Sequence, residues 1–188
     1  LFMRFPSMIL LKLQLKIQKK FLEYKFTYYK TPIGFLEISG NNYGISSIIF
    51  IEDINKLEQL KNIKSPFDVP VCLKECVDQL AEYFNGKRIK FSILLNPKGT
   101  PFQKSVWKEL ITIPFGKTTS YLSQSNSLEK PKAIRAIASA NGKNPICIVI
   151  PCHRVIGSDG SLTGYAAGVW RKKWLLDHEN PLKQQSLF

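Results

Sequence analysis

Negative charge is what this chain has least of. Only 14 Asp and Glu stand against 27 Lys and Arg over 188 residues, a formal net charge of +13 with a sequence pI near 9.6. The deficit is uneven: residues 1–30 carry +6, residues 31–98 are neutral and residues 99–188 carry +7. Such a surplus argues for a polyanionic partner, nucleic acid or an anionic membrane surface. Long apolar runs are also missing. Nothing approaches the ~20 residues a helix needs to cross a bilayer. The longest apolar stretch near the start, residues 8–11, is too short for the core of a secretory signal. Over residues 9–18 apolar and polar positions nearly alternate, which suits a half-buried strand better than an amphipathic helix. Cysteine and histidine are sparse, at four and two. Without an export signal the thiols are expected to be reduced, which excludes a disulfide framework. Cys72 and Cys76, four apart in a helical pattern, could form half a zinc site, but only His153 and His178 exist to complete it. Core packing of two small thiols is the preferred reading, and no metal is expected. The 44% hydrophobic content excludes a mainly disordered or collagen-like chain.

What is present divides the chain. Residues 24–29, 34–39 and 44–51 are rich in β-branched and aromatic residues, and Thr31-Pro32-Ile33-Gly34 and Gly40-Asn41-Asn42 separate them as turns. Pro70 opens a helix with Leu73, Cys76, Val77, Leu80 and Phe84 at helical spacing, ended by Gly86. Nothing in this half suggests chemistry. Asn96-Pro97-Lys98-Gly99 reads as a linker. Thr100 then caps a helix, with Pro101 at its first position and Gln103 at the reciprocal capping position. Phe102, Val106, Leu110 and Ile113 form its apolar stripe, with Trp107 beside it. Two short helices follow, over residues 121–128 and 131–141, the first capped by Ser120 and the second begun by Pro131. On the second, Ile134, Ile137, Ala138 and Asn141 share one face. The opposite face carries Lys132, Arg135, Ala136, Ser139 and Lys143. Cations and small side chains together suit a helix that approaches a DNA groove, although a solvated face of an ordinary helical hairpin would look similar.

The apolar run from Asn144-Pro145 to Ile150 ends abruptly in Pro151-Cys152-His153-Arg154. A thiol reacts as its thiolate, and a neighbouring imidazole can take the proton. Cys147, in the same run, has no adjacent base and reads as packing. Ile150-Pro151-Cys152-His153-Arg154-Val155, followed by Gly164-Tyr165-Ala166-Ala167-Gly168 and Lys172-Lys173-Trp174-Leu175-Leu176, resembles the active-site region of O6-methylguanine-DNA methyltransferases. The resemblance extends upstream through Thr100-Pro101-Phe102-Gln103, Val106-Trp107, Ile113-Pro114-Phe115-Gly116-Lys117-Thr118-Thr119-Ser120-Tyr121 and Lys132-Ala133-Ile134-Arg135-Ala136. It is strong over residues 96–182 and looser at Tyr29-Lys30-Thr31-Pro32-Ile33-Gly34.

The resemblance implies a role for each matching residue. Cys152 accepts the alkyl group. His153 relays a proton through a water to Glu179, and Asn144 braces the active-site turn. Tyr121 helps rotate the nucleotide out and protonates the leaving base. Arg135 enters the stack in place of the flipped base, beside Lys132, Ala136 and Ser139 on the DNA-facing helix. Val155, Tyr165 and Ala166 form the base pocket. Displacement at an alkyl carbon leaves a thioether, so each molecule acts once and needs no cofactor. This sequence departs from the family in a serine-rich first short helix, where relatives usually carry alanines and where serine hydroxyls compete for the backbone. It keeps cysteine where binding-only relatives have tryptophan, and no zinc-binding regulatory domain is expected ahead of the unit.

The expected fold is α/β in the α+β sense: a small sheet-plus-helix unit at 24–95 and a helix-turn-helix catalytic unit at 96–182, flanked by an extension at 1–23 and a tail at 183–188. The expected function is single-turnover alkyl transfer from O6-alkylguanine, with O4-alkylthymine a further candidate, in double-stranded DNA. The molecule is expected to be a monomer off the membrane, cytoplasmic and nucleoid-associated, or nuclear in a eukaryote. The alternatives are a non-catalytic sensor of alkylated DNA and a thiol enzyme acting on small molecules.

Overall fold

The computed structural model describes residues 22–61 and 68–180. The alternating segment at 9–18 and the tail at 183–188 lie outside these. Three strands, β1 (Lys25–Thr31), β2 (Gly34–Asn41) and β3 (Gly44–Phe50), form an antiparallel meander. The β1–β2 turn is closed by Thr31, whose hydroxyl accepts from the Ile33 N–H (3.1 Å) and donates to the Gly34 carbonyl (2.7 Å). Gly34 has φ +123°, and a Cβ there would stand 3.2 Å from Arg171 Nη2, so conformation and space both demand glycine. Helix α1 (Ile54–Lys61), which sequence periodicity did not indicate, follows the sheet, and α2 (Val71–Phe84) packs on it with Leu73, Cys76, Gln79, Leu80 and Tyr83 buried. Val77 and Phe84, expected on the buried stripe, are only half-buried. Pro70 is the cap of α2 rather than its first residue.

The free edge of β3 is taken by the second half of the chain. Ile45 exchanges backbone hydrogen bonds with Leu94 and Asn96. Lower down, the Ile48 N–H donates to the Pro145 carbonyl (2.8 Å) and the Cys147 N–H to the Ile48 carbonyl (3.0 Å). The apolar run ahead of Cys152 is thus pinned to the sheet, and one continuous core joins Leu36, Ile38, Ile48, Leu80 and Tyr83 to Leu110, Ile146, Ile150, Val155 and Leu175.

Helix α3 (Pro101–Ile111) starts with the expected capping box: Thr100 Oγ1 accepts from the Gln103 N–H, and the Gln103 side chain accepts from the Thr100 N–H. Its Val106 packs with Ile137 and Ala140, and Trp107 Nε1 donates to the Ala140 carbonyl at 2.8 Å. Helix α4 (Tyr121–Ser127), capped by Ser120, and helix α5 (Ile134–Gly142) form the helix pair. Helix α5 begins three residues later than expected. Pro131 and Lys132 instead form a turn closed by the Ala133 N–H on the Lys130 carbonyl (2.8 Å). Thr100 leads into α3 through Pro101 because its hydroxyl caps the first turn, whereas Lys130 offers Pro131 no capping side chain. The serines of α4 are used rather than merely tolerated. Ser120 and Ser123 share the cap, and Ser125 is buried with its hydroxyl on the Leu122 carbonyl. Between the two helices, buried Asn141 Nδ2 donates to Gln124 Oε1 (2.7 Å). After a one-turn 3-10 helix (Cys152–Arg154), a two-residue strand β5 (Val155–Ile156) pairs in parallel with β4 (Thr119–Ser120), and α6 (Val169–His178) is the last element among the described residues. The result is an α+β fold, as expected. Thr100→Ala removes one arm of the capping box and is expected to cost about 1 kcal/mol of stability, read as a lower urea midpoint with an unchanged slope.

Candidate active site

Cys152 opens the 3-10 turn, and at three residues per turn the next two side chains diverge from it. It is half-buried, whereas His153 and Arg154 are buried outright. Asn144 sets the turn that leads to it. Its Oδ1 accepts from the Ile146 N–H (3.0 Å), and its Nδ2 donates to the Ile150 carbonyl (2.7 Å) and lies 3.2 Å from Cys152 Sγ. One side chain thus spans eight residues of backbone and reaches the thiol. Within the span Ile148 takes φ +72°, a left-handed conformation that is costly for a β-branched residue.

Beneath the thiol lies a buried charge cluster centred on Glu179, the C-terminal cap of α6. Oε1 receives Tyr83 Oη (2.9 Å), His153 Nε2 (2.8 Å) and Arg154 Nη2 (3.0 Å). Oε2 receives Arg154 Nε (2.8 Å) and the Gly116 N–H (3.4 Å). Burial alone would raise the carboxyl pKa, but the hydrogen bonds of His153 and Arg154, the guanidinium charge and, at acid pH, the protonated His153 overcome it and hold Glu179 well below the usual carboxylate range. An ionised carboxylate only accepts, so Nε2 of His153 must carry a proton, and Nδ1 is left as the basic nitrogen. Nδ1 is buried and has no hydrogen-bond partner among the described residues. His153 and Glu179 touch directly. The expected relay through a water to the glutamate is therefore corrected at that step, and a carboxylate so strongly acidified stabilises the imidazolium rather than taking its proton.

Burial depresses His153 despite Glu179, with Arg154 and Lys172 adding to the effect, so the ring is neutral near pH 7. Burial also pushes the Cys152 thiol up, opposed by the Asn144 amide, the charge of Lys172 and the backbone N–H groups of Cys152 and His153. At rest the pair is thiol and imidazole rather than an ion pair.

Cys152 opens onto a cavity of about 720 Å³ lined by Tyr121, Arg135, Asn144, Tyr165 and Ala166, with Ile48, Phe50 and Glu52 of the first half forming one wall. Tyr121 Oη lies 3.3 Å from the Thr163 carbonyl, and burial and the nearby thiol raise its pKa. Tyr165 Oη is buried without a hydrogen-bond partner among the described residues, its pKa raised well above the usual value by burial. Arg135, Ala136 and Ser139 are exposed on α5, and Lys132 is exposed on the preceding turn rather than on the helix. Val155 does not line the cavity. Its carbonyl is engaged by buried Lys172 Nζ (2.6 Å), which also holds the Thr163 carbonyl (2.8 Å). Burial lowers the Lys172 pKa, countered by Cys152. Cys147, read as packing, is buried and also lines the cavity, its pKa raised well above the usual value by burial. No group of three or more metal-ligating side chains is present among the described residues.

Sequence reasoning missed Lys172, Arg154 and Tyr83 as parts of the site. Lys172, Leu175 and Glu179 share one stripe of α6 and its cap, so a lysine in a buried helical position was the available signal. Also missed was the cavity wall supplied by the neutral first half, which was expected to be inert.

Two family models match the chain. One, described as the DNA-binding domain of 6-O-methylguanine DNA methyltransferase, covers residues 101–181, and one for its ribonuclease-like domain covers residues 24–97. A Methanosarcina barkeri methylated-DNA–protein-cysteine methyltransferase is 44% identical over 159 residues, 82% of this chain and 96% of the relative. A Shigella flexneri protein of the same name is 53% identical over 106 residues, 56% of this chain and 62% of the relative. Among solved structures, Mycobacterium tuberculosis O6-methylguanine methyltransferase superposes with a TM-score of 0.72 at 37% identity, covering 88% of this chain and 100% of that one. The same bacterium's OGT in complex with DNA superposes at 0.71, with 37% identity, 88% and 99% coverage.

Because Glu179 is ionised far below its unfolded value of about 4.3, it adds stability above that pH, and the gain is lost as pH falls through the carboxylate range. Glu179→Gln leaves Arg154 buried and unpaired. It should lose about 3 kcal/mol at neutral pH and lose much less further stability on acidification than the wild type does, as read by urea unfolding at a series of pH values.

Proposed function

The chain belongs to the 6-O-methylguanine DNA methyltransferase family, and from that premise we propose that it repairs alkylated DNA by moving an alkyl group from O6 of guanine to its own Cys152. It acts as a methylated-DNA–protein-cysteine methyltransferase on duplex DNA, and among the described residues no helix is long and apolar enough to cross a membrane. The observation that carries the reading is the shared cavity: the thiol, Tyr121, Arg135 and the loop at Tyr165 and Ala166 all face one space large enough for a base.

A base stacked in a duplex cannot meet a half-buried thiol, so the nucleotide must turn out, at a cost of a few kcal/mol. Arg135, exposed on α5 at the cavity mouth, fills the space left in the stack and offsets part of that cost. Lys132, Ala136 and Ser139 lie along the DNA backbone. Tyr165 and the backbone at Ala166 form the base pocket, and Lys172 braces it from behind through the Thr163 carbonyl. His153 Nδ1, which no side chain among the described residues engages, takes the thiol proton through one bridging water as sulfur attacks the alkyl carbon, and Glu179 stabilises the imidazolium. The S–C bond forms as the C–O6 bond breaks, and negative charge passes to guanine, where Tyr121 supplies a proton and regains one from solvent as the imidazolium releases its own. Asn144 holds Sγ throughout. The balance closes with the chain and the DNA alone, as a monomer, once per molecule, because a thioether is not reversed by thiol exchange. A nucleophile facing the cavity favours transfer over the sensor reading, and the exposed Arg135 favours DNA over a small-molecule substrate.

Incubation with excess methylated duplex should add 14 Da, about one methyl group, to the peptide containing Cys152, at no more than one equivalent per protein. Repeated turnover, or transfer by Cys152→Ala, would exclude the mechanism. Arg135→Ala should slow transfer from duplex DNA by about tenfold or more, as expected if roughly 1–2 kcal/mol of the flipping cost is no longer offset. It should leave reaction with a free O6-alkylguanine base nearly unchanged, and equal losses on the two substrates would remove Arg135 from the flipping step.

A further inference from the structure

The carboxylate beneath the thiol is held from both halves of the chain. Four of its five donated hydrogen bonds come from residues near the thiol or from the loop after α3. The fifth comes from Tyr83 of α2, 96 residues away in sequence. Tyr83 is fully buried in the main core. Its ring packs edge-on against Phe115 (centroids 6.3 Å apart) and His178 (5.0 Å), and its carbonyl lies 2.8 Å from His178 Nε2. A side chain wanted only for its bulk would not need the hydroxyl, and phenylalanine would fill the same space. The hydroxyl points at the oxygen, Oε1, that also receives His153 Nε2.

We propose that Tyr83 is a positioning residue for alkyl transfer, its hydroxyl competing with His153 for Glu179 Oε1 and thereby setting how basic Nδ1 is. The inference rests on the repair reading above and names a residue on which that reading does not depend. Each donor to a carboxylate draws electron density from it, so a strong Tyr83 bond weakens the hold of Oε1 on the imidazole and its stabilisation of the imidazolium. The other groups facing this cluster are Arg154 and Cys152 on the 3-10 turn, Lys172 on α6 and the Gly116 N–H after α3, with Cys147 and His178 on the Tyr83 side. Burial and the Glu179 charge raise the Tyr83 pKa far enough to keep its hydroxyl protonated and donating throughout the working range.

Two substitutions at this position carry opposite signs. Tyr83→Phe removes the competing donor, so His153 becomes more basic. The acid limb of the single-turnover transfer rate should rise by about half a pH unit, roughly a threefold loss of rate on that limb. A 3-fluorotyrosine placed at 83 is a stronger donor of nearly the same shape and should move the limb down. Only two histidines are present, so the His153 ring can also be titrated by nitrogen NMR without any substrate, and it should shift with the same two signs. Limbs and ring pKa values that stay in place, or move in one direction for both substitutions, would overturn the inference and leave Tyr83 as packing. If Tyr83→Phe fails to fold, the fluorinated protein still decides the matter. A wild-type protein that transfers nothing, with the ring titration responding as expected, would count against the repair reading alone.

Discussion

A single buried carboxylate organises this molecule. Glu179 ends the last helix, and through its two oxygens the 3-10 turn carrying the thiol, the loop after α3 and the sheet-bound helix α2 all meet. Taken out of water alone, such a charge would cost several kcal/mol. Here five donated hydrogen bonds, two of them from the Arg154 guanidinium, compensate it, and the compensation fixes the geometry. Arg154 binds both oxygens, so the carboxylate cannot rotate. The tautomer of His153 then follows from an elementary constraint, that an ionised carboxylate has no proton to give. The direction of proton flow from Cys152, toward Nδ1 and away from the carboxylate, follows from that constraint.

The second constraint is the backbone between Asn144 and Cys152. Pairing of Ile146 with β3 pulls the chain into the sheet, while Cys152 must emerge on the cavity side a few residues later. The turn that reconciles the two demands places Ile148 in a conformation it disfavours. The Asn144 side chain bonds at both ends of the turn and holds it there. Strain of about 1–3 kcal/mol is sustainable only where surrounding contacts over-determine the path, and here the sheet, the amide and a dry core do so. The reward is a thiol whose neighbours are dictated by main-chain geometry, which leaves the cavity side free for a substrate.

Local signals in the sequence were strong where local physics decides. The capping box at Thr100, the turns at Thr31 and Asn41, the stop at Gly86 and the cap at Ser120 each depend on neighbours within four residues, and each is where it was expected. The start of α5 was misplaced because proline marks a first helical position only behind a capping side chain, which Thr100 supplies to α3 and Lys130 does not supply to Pro131. Helix α1, only eight residues long and without a proline or glycine to mark its ends, was passed over. The motif around Cys152 marked the thiol, its histidine and the glutamate through resemblance. Tyr83 could not be found that way, because a tyrosine on an apolar helical stripe looks like packing until its hydroxyl is seen to end on a charge. Glu52 and Phe50, which wall the cavity from β3 and the residues just after it, were likewise invisible to any pattern of their own.

These findings recast the charge asymmetry of the chain. The basic residues of the second half divide into two populations with opposite tasks. Arg154, Arg171 and Lys172 are buried and spent on internal acceptors: Arg154 on Glu179, Arg171 on Glu52 and the Ile33 carbonyl beneath the β1–β2 turn, Lys172 on two loop carbonyls. Arg135, Lys132 and Lys143 are exposed and face outward around α5. Net charge therefore overstates what is available to a polyanion, because the buried cations serve the site from within. The neutral first half contributes through its hydroxyl at Tyr83, its wall of Ile48, Phe50 and Glu52, and the sheet edge on which the reactive turn is built. It is a structural partner of the site, and a chemistry confined to the second half could not be assembled without it.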